Sequence, residues 1–464
     1  MGRKRQTRRE FIRKCVGIGT ALFIPGCADY QAKSGPAHPD SPNIVVFIAD
    51  DLGWADVGYH GSEIMTPNID RLATEGVRLE QHYVQPMCTP TRTALLTGRY
   101  PSRYGVRATV PSNERVLPFE TVTLASALKS CGYQTAISGK WHLGSKPDWG
   151  PLKYGFDMSY GCLAGGVGQY NHLYKKGPYS RTWHCNDQFV EEKGHSTDLI
   201  AKEAIRYIES FGQTHQPFFV YVAFTAVHVP VEVPQQFIDM YAGRKFHEDP
   251  ANDDSFKRYA AYATHMDAAI GRVVDAVNRT GKRGDTLIIF VSDNGSFPGW
   301  KPSGKYPGRY EACPVLGSNL PFRGYKAQLY EGGIRVPTVA NWPGILTPTD
   351  FSDPVHVVDW MPTLCRLAGY EHQELLKWDG RDIWPQLTGK VKKPVLRTFY
   401  WKFRKDGFAL RHGDWKLIIS AKNSDPELYN LAADPSEQSN LAEKHPAMVE
   451  QLTALLAEHR KRDM

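Results

Sequence analysis

No CxxC or CxxH pair occurs in these 464 residues, so the usual zinc frameworks have nothing to build on. The eight cysteines, at 15, 27, 88, 131, 162, 185, 313 and 365, are too scattered along so long a chain to form a disulfide scaffold. Internal repeats and low-complexity tracts are also missing, which sets aside solenoids and fibrous arrays. Hydrophobic residues at 41% and charged residues at 23% exclude a disordered chain. What is present is length enough for two or three globular units with a sizeable core.

The charge is less basic than it looks. With 56 Lys+Arg against 49 Asp+Glu the chain carries +7, but the first 27 residues hold seven basic residues against Glu10 alone and supply +6 of it. The remainder is close to neutral, so no nucleic-acid partner is expected. The opening run Thr7 to Lys14 resembles a twin-arginine export signal. It is followed by an apolar stretch, Cys15 to Pro25, too short to span a bilayer. Ile24-Pro25-Gly26-Cys27 resembles a lipoprotein cleavage box except at Pro25, so membrane attachment is expected only through lipidation at Cys27. The expected location is the periplasm or the cell envelope. Residues 28–42 are polar and Pro-rich, a linker.

From residue 43 the pattern alternates. Ile44 to Ala49, Thr135 to Ser138, Phe218 to Phe224 and Leu287 to Val291 are continuously apolar and of strand length, as in a sheet covered on both faces. Helical stripes precede three of them: Leu124 to Cys131 with Gly132 to cap it, Ala201 to Phe211 behind a Ser196/Thr197 cap, and Tyr259 to Val277. The expectation is an α/β domain over 43–374 with a large, mostly parallel sheet between helices. Beyond a boundary near Leu375, a smaller α+β subdomain over 375–464 is predicted. Its antiparallel strands are Thr398 to Arg404, Phe408 to Arg411 and Trp415 to Ser420, with a helix from Pro446 to about Arg460. Cys131 and Cys365 fall in helical patterns and read as core residues. Cys162 and Cys185 flank a loop and form the one pair expected to bridge.

Ligands of open parallel sheets bind beyond the carboxyl ends of the strands. Here the four strands run into Asp50-Asp51, Lys140-Trp141-His142, His228 and Asp293-Asn294. Any one of these would suit a turn or a solvated surface. Together they offer three carboxylates and an amide, hard oxygen donors that select Ca²⁺ or Mg²⁺ over zinc. Lys140, His142 and His228 add positive charge and proton-transfer capacity, as hydrolysis of an anionic ester requires.

Pro90 suits a first helical turn and places Cys88 at a helix N-terminus, where an anion and a nucleophile are both favoured. By itself, Cys88 near Arg92 fits either a reactive thiolate or a buried thiol. The segment Cys88-Thr89-Pro90-Thr91-Arg92, followed by Leu96-Thr97-Gly98-Arg99, resembles the sulfatase signature. Gly132 to His142 resembles that family's second signature. Asp50 to Trp54, Thr66 to Asp70, Pro321 to Lys326, Glu331 to Arg335, Asp359 to Thr363 and Leu428 to Leu431 are similar to further family segments, so the resemblance covers Asn43 to Asn440. Gly53 to Gly61 and Gln85 to Pro90 look most like the arylsulfatase B group of N-acetylgalactosamine-4-sulfatases. Thr91 departs from the commoner Ser but keeps a hydroxyl.

The resemblance implies an alkaline-phosphatase-like fold and conversion of Cys88 to formylglycine by a maturating enzyme. It also implies one Ca²⁺ held by Asp50, Asp51, Asp293 and Asn294 together with residue 88. Arg92 would hold the formylglycine hydrate, and Lys140, His142, His228 and Lys326 would contact residue 88 or the sulfate. Lys326, in a Gly-rich loop, is implied by the resemblance alone. The implied reaction is attack on sulfur by a hydroxyl of the hydrated aldehyde, protonation of the leaving oxygen by His228 or Lys326, and expulsion of sulfate with His142 or a neighbour as base. The expected substrate is a sulfated polysaccharide fragment of galactose- or N-acetylgalactosamine-4-sulfate type. Aromatic loops from Tyr160 to Trp183 and from Phe297 to Tyr310 are candidate sugar-stacking walls or plain packing. Two rivals are a formylglycine-dependent phosphonate or phosphodiester hydrolase and a non-catalytic glycan-binding lipoprotein.

Overall fold

The computed structural model describes residues 41–371, 376–391, 395–420 and 423–464. The export segment, nearly all of the linker and the boundary at Leu375 lie outside the described residues.

Ten strands form one sheet, with β1 (Asn43–Ala49) at its centre. On one side of β1 lie β8 (Phe218–Ala223), β4 (Gln134–Lys140) and β5 (Met158–Cys162), all parallel to it. On the other lies β9 (Thr286–Ser292), also parallel. The four strands read from the sequence are thus neighbours in the order β9-β1-β8-β4. The margins are shorter and include antiparallel pairings. β10 (Thr338–Asn341) runs against β9, then come β2 (Val77–Leu79) and β11 (Thr349–Phe351); the opposite margin is β6 (Trp183–Cys185) and β7 (Gln188–Phe189). A two-stranded pair, β3 (His82–Tyr83) with β12 (Val355–His356), stands apart.

Successive side chains of a strand face opposite ways, and β1 shows what that does here. Ile44, Val46 and Ile48 pack with the helices Cys88–Thr97, Leu124–Ser130 and Trp360–Leu367 on one face. Val45, Phe47 and Ala49 pack with the helices Ser196–Phe211 and Pro250–Arg279 on the other. A strand buried on both faces reads as one apolar run.

The tail forms a four-stranded antiparallel sheet of β13 (Thr398–Phe403), β14 (Gly407–His412), β15 (Trp415–Ser420) and β16 (Asn423–Asn430). The helix Pro446–Arg460 follows. The fourth strand was not predicted: Pro426 and the polar run before it hide its period, and only Leu428 and Tyr429 signal it.

Several local expectations are corrected. His195, not Ser196 or Thr197, caps its helix, the ring accepting the Thr197 N–H. The long helix begins at Pro250 behind an Asp249 cap, ahead of its apolar stripe. Cys131 is the residue that ends its helix rather than a member of it. Cys162 and Cys185 do not bridge, because the β5–β6 register sets Cys162 opposite Trp183 and Cys185 opposite Tyr160, so the thiols do not face each other. Tyr160 and Trp183 are buried and meet edge to face, and Trp183 stacks on His172, as packing; Tyr306 of the second loop is buried too, whereas Tyr170 is exposed and Tyr174 and Tyr310 are half-buried.

Candidate active site

Every polar residue read at a strand end lies at the carboxyl edge of the central strands, and all are buried or nearly so. Close backbone approach makes this possible. A Cβ on Gly139, one residue before Lys140, would lie 1.8 Å from the Ala223 carbonyl oxygen, and one on Gly295, just after Asn294, 1.8 Å from the Gly332 carbonyl oxygen. Only glycine allows these loops to close on one another. Asp51 and His142 sit in the left-handed region, at φ 69° and 57°. Such conformations cost of order 1–3 kcal/mol each and persist where the surroundings impose them.

Asp50 accepts from Lys140 Nζ at 2.6 Å. Asp51 is held by Lys326 Nζ at 2.6 and 2.7 Å and by Asn294 Nδ2 at 2.8 Å, with His228 Nε2 at 3.8 Å. Asp293 receives Arg92 Nε and Nη2 on one oxygen at 3.1 and 2.8 Å, while Arg92 Nη1 donates to the Lys140 carbonyl at 2.7 Å. The Cys88 sulfur and carboxylate oxygens of Asp50 and Asp293 lie within 4.8 Å of one another, as do Asp50, Asp51 and His228. Lys326, which the sequence alone could not place, is thereby brought to the same point. His142 lines the far side, its backbone oxygen accepting from Thr89 Oγ1 at 3.1 Å and its ring lying against Gly165. The Thr91 hydroxyl closes on the backbone of Gln85, accepting from its N–H at 3.0 Å and donating to its oxygen at 3.1 Å, so a hydroxyl is what this position uses.

The electrostatics are uneven. Burial raises the Asp50 carboxyl to about 8 despite Lys140, with Asp293 and Asp51 adding repulsion. Burial also opposes ionisation of Asp51, but Lys326 overcomes it and holds its carboxyl low. Burial drives the His142 and His228 imidazoles down, aided by the neighbouring lysines, so both rings are neutral in this setting. The Cys88 thiol is pushed up by burial against the pull of Lys140 and Lys326, so it is held protonated.

The donor set fits a divalent cation. Among the described residues, Asp50 Oδ1 and Asn294 Oδ1 are buried without a hydrogen-bond partner, and three carboxylates crowd one another beside them. Unsatisfied buried oxygens of this kind are what a hard cation takes up.

Sequence reasoning reached Tyr306 only as part of the aromatic loop from Phe297 to Tyr310 and did not single it out. Its buried hydroxyl has no hydrogen-bond partner and lies across Gly166 from His228, and no motif marks it.

Comparison with known proteins identifies the family. The Sulfatase family model matches residues 42–370, and the model for the C-terminal region of N-sulphoglucosamine sulphohydrolase matches 324–462. Arylsulfatase J of Mus musculus is 32% identical over 489 residues, 93% of this chain and 78% of its own length. N-acetylgalactosamine-6-sulfatase of Sus scrofa is 33% identical over 394 residues, 78% of this chain and 69% of its own length. The crystal structure of Ps i-CgsB in complex with k-i-k-neocarrahexaose superposes with a TM-score of 0.80 at 30% identity, over 91% of this chain and 94% of that one. With the fold, the Cys88 segment and these relatives in agreement, the chain belongs to the sulfatase family, sulfuric ester hydrolases built on an alkaline-phosphatase-like sheet.

Proposed function

We propose that this enzyme removes sulfate from a sulfated glycan, acting through residue 88 after its conversion from Cys to formylglycine. The observation that carries the reading is the juxtaposition of Cys88 with the Asp50 and Asp293 carboxylates under Lys140, Lys326 and Arg92. Asp50, Asp51, Asp293 and Asn294, with residue 88, would hold one Ca²⁺. Bound there, the ion would neutralise the sulfuryl oxygens and draw charge from sulfur. A hydrated aldehyde at residue 88 supplies a hydroxyl nucleophile that a serine could match in the first step but not in the release of sulfate.

The remaining work falls to side chains already in place. Arg92 is fixed by Asp293 and by the Lys140 carbonyl, so its guanidinium is oriented beneath residue 88 before substrate arrives. Lys140 and Lys326 bring ammonium groups to Asp50 and Asp51, where a sulfate would displace part of that pairing. His228 donates Nδ1–H to the Val229 oxygen at 2.6 Å, so its neutral ring presents the Nε2 lone pair, and the proton for the leaving oxygen comes from the Lys326 ammonium that shares Asp51 with it. His142 has a buried Nδ1 without a partner and serves as base for residue 88.

The glycan is of galactose or N-acetylgalactosamine type. The sequence resemblance favours a 4-sulfate, whereas relatives named N-acetylgalactosamine-6-sulfatase favour position 6. Export through the leader, maturation before export of the folded chain and lipidation at Cys27 belong to the same proposal. The test is sulfate release from 4- and 6-sulfated galactose and N-acetylgalactosamine, together with the mass of the tryptic peptide containing residue 88. Cys88→Ala should abolish turnover without unfolding the protein; an unmodified thiol in fully active enzyme overturns the mechanism.

A further inference from the structure

Two loops outside the catalytic cluster close on each other. The Lys176 N–H donates to the Lys305 oxygen at 2.7 Å, and Asn171 Nδ2 to the Pro307 oxygen at 2.6 Å. Each loop is pinched at its base, by bridges between Leu173 and Arg181 and between Trp300 and Cys313. Between them lies a cavity of about 550 Å³, its walls including Tyr174, Lys175, Lys176, Tyr179 and Lys305. None of these three lysines is paired with a carboxylate among the described residues, and no Asp or Glu lines the cavity; Glu114 stands behind it, bound to the Tyr179 hydroxyl. Lys175 Nζ lies 5.3 and 5.6 Å from the ring centres of Tyr174 and Tyr306, which meet edge to face at 5.8 Å.

Tyr306 joins this cavity to the reaction centre. A methyl group built on Gly166 would approach the Tyr306 hydroxyl to 3.1 Å and His228 Nδ1 to 3.2 Å. That hydroxyl is buried and without a hydrogen-bond partner. A ligand reaching from the sulfate position past Gly166 thus meets the Tyr306 hydroxyl and the half-buried Tyr174 ring, and then a group of ammonium ions without carboxylate partners among the described residues. Lysines act as point charges toward oxyanions and need no fixed fork geometry.

We propose that the Lys175–Lys176–Lys305 cavity is a second anion subsite, which binds an oxyanion on the sugar next to the one carrying the scissile sulfate. This rests on the glycan reading of the reaction centre and names its substrate class: an oligosaccharide with a second sulfate or a carboxylate on an adjacent unit.

The test compares galactose-containing disaccharides bearing one sulfate with the same disaccharides bearing a second sulfate, or a uronate carboxylate, on the adjacent unit. Wild-type enzyme should prefer one of the doubly charged substrates by at least tenfold in kcat/KM, and the preferred one identifies the oxyanion. The Lys175→Ala/Lys176→Ala/Lys305→Ala variant should lose that preference while its kcat/KM on the singly sulfated disaccharide stays within twofold. Binding of a fluorescent, multiply sulfated galactan hexasaccharide should weaken by a similar factor in the variant. Absence of the preference, or its survival in the triple variant, overturns the second subsite while leaving the sulfatase reading standing. Failure to release sulfate from every disaccharide defeats the glycan reading instead.

Discussion

Two buried ionic clusters of this protein are built from the same side chains and arranged to opposite ends. In the first, Lys416 of β15 lies between Glu331 and Glu437, each at 2.8 Å. The second Glu331 oxygen accepts from the Tyr83 hydroxyl at 2.6 Å, with Arg335 at 3.6 Å, and the second Glu437 oxygen accepts the Glu331 N–H at 2.6 Å. Each of the four carboxylate oxygens faces a donor or a cation, although Glu437 Oε1 meets Lys416 as an ion pair without a hydrogen bond. Burial, with Glu331 adding repulsion, raises the Glu437 carboxyl to about 7. The cluster ties the antiparallel sheet to the Glu331 loop. In the second, Asp50, Asp51 and Asp293 face Lys140, Lys326 and Arg92, an equal count of charges, yet oxygens of Asp50 and Asn294 remain without donors and Asp50 is repelled by its neighbours. Equal charge count does not separate structure from function; whether every oxygen has a donor or a cation against it does. A cluster whose oxygens are all taken holds the fold together, and one that leaves oxygens over is shaped for a ligand.

The widest gap between the two should appear on substitution. Asp50→Asn resembles the protonated carboxyl that burial already favours in the ion-free site, so its effect on ion-free stability should stay within about 1 kcal/mol. Activity should nevertheless fall by more than a thousandfold, on the order of 4 kcal/mol of lost transition-state stabilisation. Lys416→Met should do the reverse, leaving Glu437 without its cation and Glu331 with Arg335 at 3.6 Å, and destabilising the fold by about 3–5 kcal/mol. The folded fraction of that variant should turn over normally. Urea unfolding and sulfate release on both variants decide it, and equal stability losses would erase the distinction.

The first cluster was hidden from the sequence and the second was not, for a physical reason. Asp50, Lys140, His228 and Asp293 each end a continuously apolar strand, so a period-2 sheet with parallel order brings them to one edge once the strands are found. Lys416 is a single charge inside β15, and Glu437 lies in a loop twenty-one residues on; neither has a local pattern that predicts burial. Lys326 and Tyr306 share that difficulty, as both come from long Gly- and Pro-rich loops whose path only the tertiary structure fixes. The fourth strand of the tail sheet failed for want of alternation, and the expected Cys162–Cys185 bridge failed because register cannot be read from two cysteines flanking a loop.

Divalent-ion removal sharpens the contrast at smaller energy. Chelation should lower the melting temperature of the wild type and not that of Asp50→Asn, since binding at a hundredfold excess over Kd is worth about 2.7 kcal/mol. Lys416→Met should keep the full ion-dependent shift, because it leaves the Asp50 and Asn294 oxygens of the reaction centre untouched. An ion-dependent shift equally large in Asp50→Asn would place the cation elsewhere.

A third carboxylate tests whether completeness alone is enough. Asp56 has no ion pair among the described residues, yet accepts from Gly53 and Ser318 N–H groups, each at 2.8 Å, and from the Tyr259 hydroxyl at 2.6 Å. Burial pushes its carboxyl up to about 6, and the three hydrogen bonds pull it only part of the way back. A carboxyl raised on folding contributes stability that is fully present below its unfolded value of 3.8 and fades as pH climbs through about 6. Between pH 4 and pH 6 this one group should therefore make the wild type less stable with rising pH, by at most about 1.4 kcal/mol per pH unit. Asp56→Asn should flatten that slope relative to wild type while losing one of the three acceptors. An unchanged slope would mean that three neutral donors satisfy a buried carboxylate as fully as the Lys416 ammonium does, and the cation would then not be what separates the saturated cluster from the reactive one.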